Sequence, residues 1–245
     1  MVKWLNRLYQ KNPLYFSLLW IGVYCFANSF ANLASDKIGI NSSVTCVVNI
    51  LLSLALLQWI RNNGLMTYFG LCKSPVPASK FLWYLPLVLF ASTNLWLGIG
   101  RNLPLTDTIC YMLSMLCVGF LEEVIFRGLL FKALSKDNVK TAIIISSVTF
   151  GLGHILNLFN SSGMGLVDNL LQVEGAIACG FLFVIIFYRG GSLIPCILAH
   201  GINNALSVFA NETVMTLQRQ LFLSVCILVI IVTYGLILQK TLPKK

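Results

Sequence analysis

The sequence predicts an all-α, polytopic membrane protein: a bundle of about eight transmembrane helices with its N- and C-termini cytoplasmic. Composition, a succession of apolar runs and the placement of the bases each point to it. Of 245 residues, 58% are hydrophobic and only 10% charged, whereas a soluble domain carries about a quarter charged residues. No soluble core of this length hides so much apolar surface, so lipid is the expected solvent.

The runs able to cross a hydrocarbon layer about 30 Å thick fall at 14–34, 43–60, 81–100, 109–131, 141–159, 169–188, 193–210 and 220–239. Lys3, Arg7 and Lys11 ahead of the first run also suit a signal peptide. Seven further runs follow, so an uncleaved first helix is expected. Pro75 and Pro77, with Gly64 and Gly70, mark the long connection before the third run. The run at 193–210 is the least uniform, because it contains Pro195, His200, Asn203 and Asn204. One integral membrane domain over 1–245 is expected, with 109–210 holding its chemistry.

The bases test the count of spans. With the N-terminus inside, one side receives Lys3, Arg7, Lys11, Arg61, Lys73, Lys80, Lys132, Lys136, Lys140, Arg189, Lys240, Lys244 and Lys245. The other receives Lys37, Arg101 and Arg219, and Arg127 falls within a span. Cytoplasmic loops retain Lys and Arg, so the bias fits an even number of crossings. The formal charge of +9 is thereby explained without a basic stripe interleaved with aromatics, and nucleic acid is not an expected partner. Seven of the eight cysteines lie in apolar runs without a CxxC pair and read as small buried hydrophobes.

Ionisable groups at membrane depth are costly and mark function by default. Here they concentrate: Glu122, Glu123 and Arg127 in one span, His154 in the next, His200 and Asn204 two spans later. Both histidines of the chain are among them. On a helix of 3.6 residues per turn, Glu123 and Arg127 share a face, as do Phe150 and His154, and His200 and Asn204. Arg127 is therefore expected to pair with Glu123, leaving Glu122 to act elsewhere. Glu122 lies about 14 Å, His154 about 20 Å and His200 about 10 Å from the inner ends of their spans at 1.5 Å per residue. Three neighbouring helices would bring them together.

A carboxylate in an apolar cavity is a stronger base than one in water and can act near neutral pH. Glu122 and His154 can hold and deprotonate a water between them. His200 and Asn204 can donate hydrogen bonds to the oxyanion of a peptide carbonyl. Such a group is an amidase without a Ser or Cys nucleophile. Zinc is the alternative, held by Glu122, His154 and His200, although no HExxH stands in the sequence.

Glu122-Glu123-Val-Ile-Phe-Arg127 is an EExxxR pattern, Phe150-Gly-Leu-Gly-His154 is FxxxH, and His200-Gly-Ile-Asn-Asn204 is HxxxN. In this order, on separate spans, they resemble the CPBP family: CAAX prenyl proteases of the Rce1 type and bacterial bacteriocin-processing or immunity proteins (Abi). The resemblance covers about 120 to 210. It implies an eight-helix intramembrane endopeptidase acting on a hydrophobic or lipid-adjacent peptide, with Glu122 as base and His154 as its partner on water. It further implies His200 and Asn204 at the oxyanion, with Glu123, Arg127 and Phe150 in support. The family is often classed with metalloproteases, but the glutamate mechanism requires no metal. A chain this compact suggests a bacterial member in the cytoplasmic membrane, where maturation of a bacteriocin or signalling peptide, or self-immunity, is the expected role.

Blander readings stand beside these. Glu123–Arg127 alone is a structural ion pair, and His154, His200 and Asn204 singly are interhelical glue. A non-catalytic immunity or regulatory protein of the same fold would keep the bundle without the reaction. A proton-coupled transporter would use Glu and His as a relay, though no pair of interrupted helices is visible in the two halves.

Overall fold

The computed structural model describes residues 2–159 and 163–244; Lys245, counted among the bases above, lies outside them. A short amphipathic helix, α1 (Val2–Lys11), packs Leu5, Leu8 and Tyr9 on the core. Asn12 then accepts a hydrogen bond from the Tyr15 amide at 3.0 Å, and Pro13 occupies the first turn of α2 (Pro13–Ile38). Side-chain cap and proline together start the helix where the apolar run begins. Next come α3 (Ser43–Asn62) and a short α4 (Leu85–Ala91). Helix α5 spans Leu105–Leu134, followed by α6 (Val139–Gly153), α7 (Leu166–Gly190), α8 (Ile194–Leu206) and α9 (Leu217–Thr241).

Among the described residues, six helices are long and apolar enough to cross a membrane: α2, α3, α5, α6 with its continuation to Leu158, α7 and α9. The protein is therefore an integral membrane protein. Its lipid-facing surface is visible on α9, where Phe222, Val225, Val229, Val232 and Leu236 form an exposed apolar stripe. Water would oppose a stripe of that size, whereas acyl chains solvate it.

The third and seventh expected spans are shorter than the sequence suggests. Residues 81–100 break into a 3-10 turn (Ala78–Tyr84), α4 and a second 3-10 turn (Thr93–Leu95). Residues 193–210 give α8 and a 3-10 turn (Ser207–Phe209). Pro86 and Pro195 each sit in a first helical turn, which fixes where each short helix starts. Ends of short helices leave carbonyls without partners, and lipid offers none. Asparagine amides supply them. Asn203 donates to the Phe90 carbonyl and the Thr93 hydroxyl, both at 2.9 Å. Asn94 donates to the Asn203 carbonyl, and Asn102 to those of Val208 and Ala210. The structure thus contains a pair of interrupted helices where the sequence showed none, and they lie against each other.

The base-rich connections gather at one end of the bundle. Lys132 lies over the rings of Tyr68 and Phe187, Arg189 donates to the Gln239 carbonyl, and Thr241 donates to the Lys80 carbonyl. At the other end the Asn41 amide donates to Asp107, Gln220 donates to Asp168, and Ile99 pairs with Ala210. All eight cysteines are free.

Helices α5 and α8 pack closest at two glycines. A Cβ on Gly119 would stand 2.5 Å from the Gly201 backbone. Backbones approach this way in membranes because small residues let dispersion and interhelical hydrogen bonds act at short range. Gly119→Ala is expected to lower stability by about 1–3 kcal/mol through overpacking, read as a lower thermal unfolding midpoint in detergent. Gly22→Ala, with open space around it, should leave the midpoint within about 1 °C of wild type or raise it, since alanine is the better helix former.

Candidate active site

The site is built where α5 changes its winding. The helix is α-helical over Leu105–Glu123 and π-helical over Val124–Phe131, so Glu122 and Glu123 stand in its last α turn. A π segment widens the helix and displaces carbonyls from their usual partners. One of these, Phe126 O, accepts a 2.8 Å hydrogen bond from Ser146 on α6. The whole segment is buried.

Arg127 pairs with Glu123, Nη1 to Oε1 at 3.0 Å, with both side chains fully buried. The guanidinium also lies 4.0 Å from the Phe150 ring centroid and 5.7 Å from that of Phe183. A cation at this depth is tolerable because it meets a carboxylate and two aromatic faces together. Glu122, expected to be left free, has partners. Tyr24 on α2 donates its hydroxyl to Glu122 Oε1 at 2.7 Å, and Glu122 Oε2 lies 3.5 Å from His200 Nε2.

His200 stands between the two carboxylates. Its Nδ1 is 2.9 Å from Glu123 Oε1, so both ring nitrogens face carboxylate oxygens. A neutral imidazole has one N–H. The second contact is therefore satisfied only when a further proton lies on the ring or on Glu122.

His154 sits at the end of α6 and opens the 3-10 turn His154–Leu158. Its Nδ1 lies 3.0 Å from the Phe150 carbonyl, which can only accept. The neutral ring therefore carries its proton on Nδ1 and keeps a lone pair on Nε2. The Phe150 ring meets His154 edge-on at 5.1 Å and His200 at 5.8 Å, so one phenyl spaces both imidazoles. Asn204 makes no side-chain hydrogen bond among the described residues, which leaves its amide open to a ligand.

His154, His200 and Asn204 line one cavity of about 540 Å³, together with Phe150 and Phe183. Glu122 is not in its wall; it stands one contact behind, against His200. Among the described residues no three His, Cys, Asp or Glu side chains group closely enough to hold a metal ion.

Tyr24 has no counterpart in the sequence, and Asn203 stands there only as one of the residues that interrupt the run at 193–210. Tyr24 is 98 positions from Glu122, and no spacing rule connects them. Asn203 stands beside Asn204, and a second amide on so short an apolar run is the signal that would have found it.

Fold and site together define a polytopic membrane protein with a buried glutamate–histidine–arginine cluster at the foot of a largely apolar cavity that both histidines and Asn204 enter. Residues 104–206, which carry α5 to α8 and every motif residue, match the family model described as type II CAAX prenyl endopeptidase Rce1-like. Over these residues, less than half of the chain, the protein is similar to the Rce1-like, CPBP family. No curated protein and no solved structure matches it.

Proposed function

We propose that the protein is an intramembrane endopeptidase that hydrolyses a peptide bond of a membrane-associated peptide with water activated by glutamate. The observation that supports this most is the shared cavity: both histidines and Asn204 line it, and Glu122 touches His200 from behind. Helices over 109–210 form the catalytic core of a single domain. Its membrane is the bacterial cytoplasmic membrane, with both termini inside.

In this reading, water binds beside the His154 Nε2 lone pair, and its proton passes to Glu122 as His200 turns from that carboxylate to the substrate. The hydroxide adds to the peptide carbonyl. Asn204 and His200 donate to the oxyanion, with His200 exchanging its long Glu122 contact for the substrate. Collapse of the intermediate expels the amine, which takes up the proton held on Glu122. Glu123 and Arg127 hold His200 in place, and Phe150 sets the spacing of the rings. The steps use no metal ion, so prolonged chelation should leave the cleavage rate unchanged. The peptide is a bacteriocin precursor, a signalling peptide or an incoming toxin.

The test is cleavage of a quenched-fluorescent hydrophobic peptide library by purified protein in liposomes. Glu122→Ala, His154→Ala and His200→Ala should each abolish cleavage while eluting as monodisperse protein. Wild-type rates in all three would sink the proposal. Tyr24→Phe removes a hydrogen bond to a charged group worth about 1.5–3 kcal/mol. If that bond holds Glu122 in its reactive geometry, kcat falls roughly tenfold to a hundredfold with little change in KM.

A further inference from the structure

The cavity lies in one half of the bundle. On α5 it is lined by Tyr111 and Met115, near the start of the helix, and on α6 by Phe150 and His154, near its end. On α7 the lining runs from Asp168 to Phe183, and on α9 from Gln220 to Leu228, again the halves next to the base-poor loops. The opposite half holds packed, buried rings, Phe69, Phe81, Phe131, Phe187 and Tyr234, beside a second cavity lined by Ser74, Pro75, Tyr84, Ser192 and Pro195. The floor of the cavity is the histidine pair, and its rim carries Gln172, Glu174, Asp168 and Gln220.

We propose that substrate enters from the base-poor face, which the bias of Lys and Arg turns away from the cytoplasm, and that the occupant is an uncoiled peptide segment bearing basic rather than acidic residues. This rests on the endopeptidase reading and gives that site its substrate class.

Size argues for an uncoiled segment. A spanning helix of 20 residues runs about 30 Å, whereas the described lining is confined to one half of the bundle, so an intact spanning helix does not fit lengthwise. Charge argues for bases. The described lining holds two carboxylates, Asp168 and Glu174, and no Lys or Arg. The nearby Arg219 is turned to the Val214 carbonyl. Asp168 accepts from Gln220 at 2.7 Å, which fixes one carboxylate at the rim, while Glu174 is exposed. The described lining does not reach the base-rich end, so the site is offered to an exported peptide or one seated in the outer leaflet.

Sidedness is testable without catalysis. Ser224→Cys and Glu174→Cys in the cavity, and Lys136→Cys at the base-rich end, are exposed in intact cells to a membrane-impermeant maleimide and located by peptide mapping. The two cavity positions should be modified from outside, and Lys136→Cys only after permeabilisation. The reverse pattern overturns the proposal. So does failure of both cavity positions to react before denaturation, in cells or permeabilised. Labelling of Ser224→Cys should be slowed about fivefold by a Lys-Leu alternating dodecapeptide, the effect of about 1 kcal/mol of charge pairing, and not by its Glu-Leu counterpart. Equal slowing, or none by either, overturns the preference for bases. Adding His154→Ala should leave the labelling pattern unchanged, so loss of the protease reading and loss of this one are separate results.

Discussion

Arg127→Leu is expected to lower the thermal unfolding midpoint in detergent by roughly 6–20 °C, the equivalent of about 3–5 kcal/mol in a chain of this size. Arg127 has no exposed surface and pairs with a carboxylate that has none. Leucine fills much of the volume and keeps the apolar contacts with Phe150 and Phe183, so the loss is electrostatic. It strands Glu123 with a single remaining partner, the His200 ring 2.9 Å away. The His200 ring stays beside the stranded charge, which keeps the effect below that of an isolated buried ion. A second change decides the cause. Glu123→Gln in the same chain removes the stranded charge, and the double variant should be more stable than Arg127→Leu alone, a coupling expected of side chains in one network. A double variant less stable than the single one would show that Arg127 acts through packing.

Glu122→Gln is expected to reduce cleavage by about two to four orders of magnitude, the contribution of a positioned general base, without loss of folded protein. The substitution is nearly isosteric. A glutamine oxygen still accepts from Tyr24, and an amide can face His200 Nε2. What disappears is the capacity to take a proton. The same variant separates catalysis from a role as a non-catalytic immunity or regulatory protein, because that role should survive it. Retained cleavage would remove Glu122 from the mechanism and shift the base to His154, whose Nε2 lone pair faces no described partner.

The membrane bundle was legible because its signals are local. Apolar runs of about 20 residues and clustered bases read directly from the chain, and so did pairs four apart on one helix: Glu123 with Arg127, Phe150 with His154. The failures are of two physical kinds. Residues 81–100 and 193–210 are apolar enough to suggest crossings, yet Asn94, Asn102 and Asn203 cap short helices there. Whether an amide caps a helix or faces a pore depends on a partner more than 100 positions away. The other failure concerns Glu122. Face arithmetic assumed a uniform α-helix and neighbours of unknown identity. It separated Glu122 from Arg127 correctly and had no means of finding Tyr24 or of placing His200 between the two carboxylates.

The π-helical segment Val124–Phe131 acts as a phase shifter. In a helix of even pitch, one stripe meets the same neighbour from end to end. Widened turns step that stripe around the axis, so the upper part of α5 can nestle against α8 through Gly119 while the lower part seats against α2 and α6. Two docking schedules share one rod. Removing a single residue between Val124 and Phe131 would bring the halves back into phase, and the carboxylates and the guanidinium could no longer be served by their separate neighbours together.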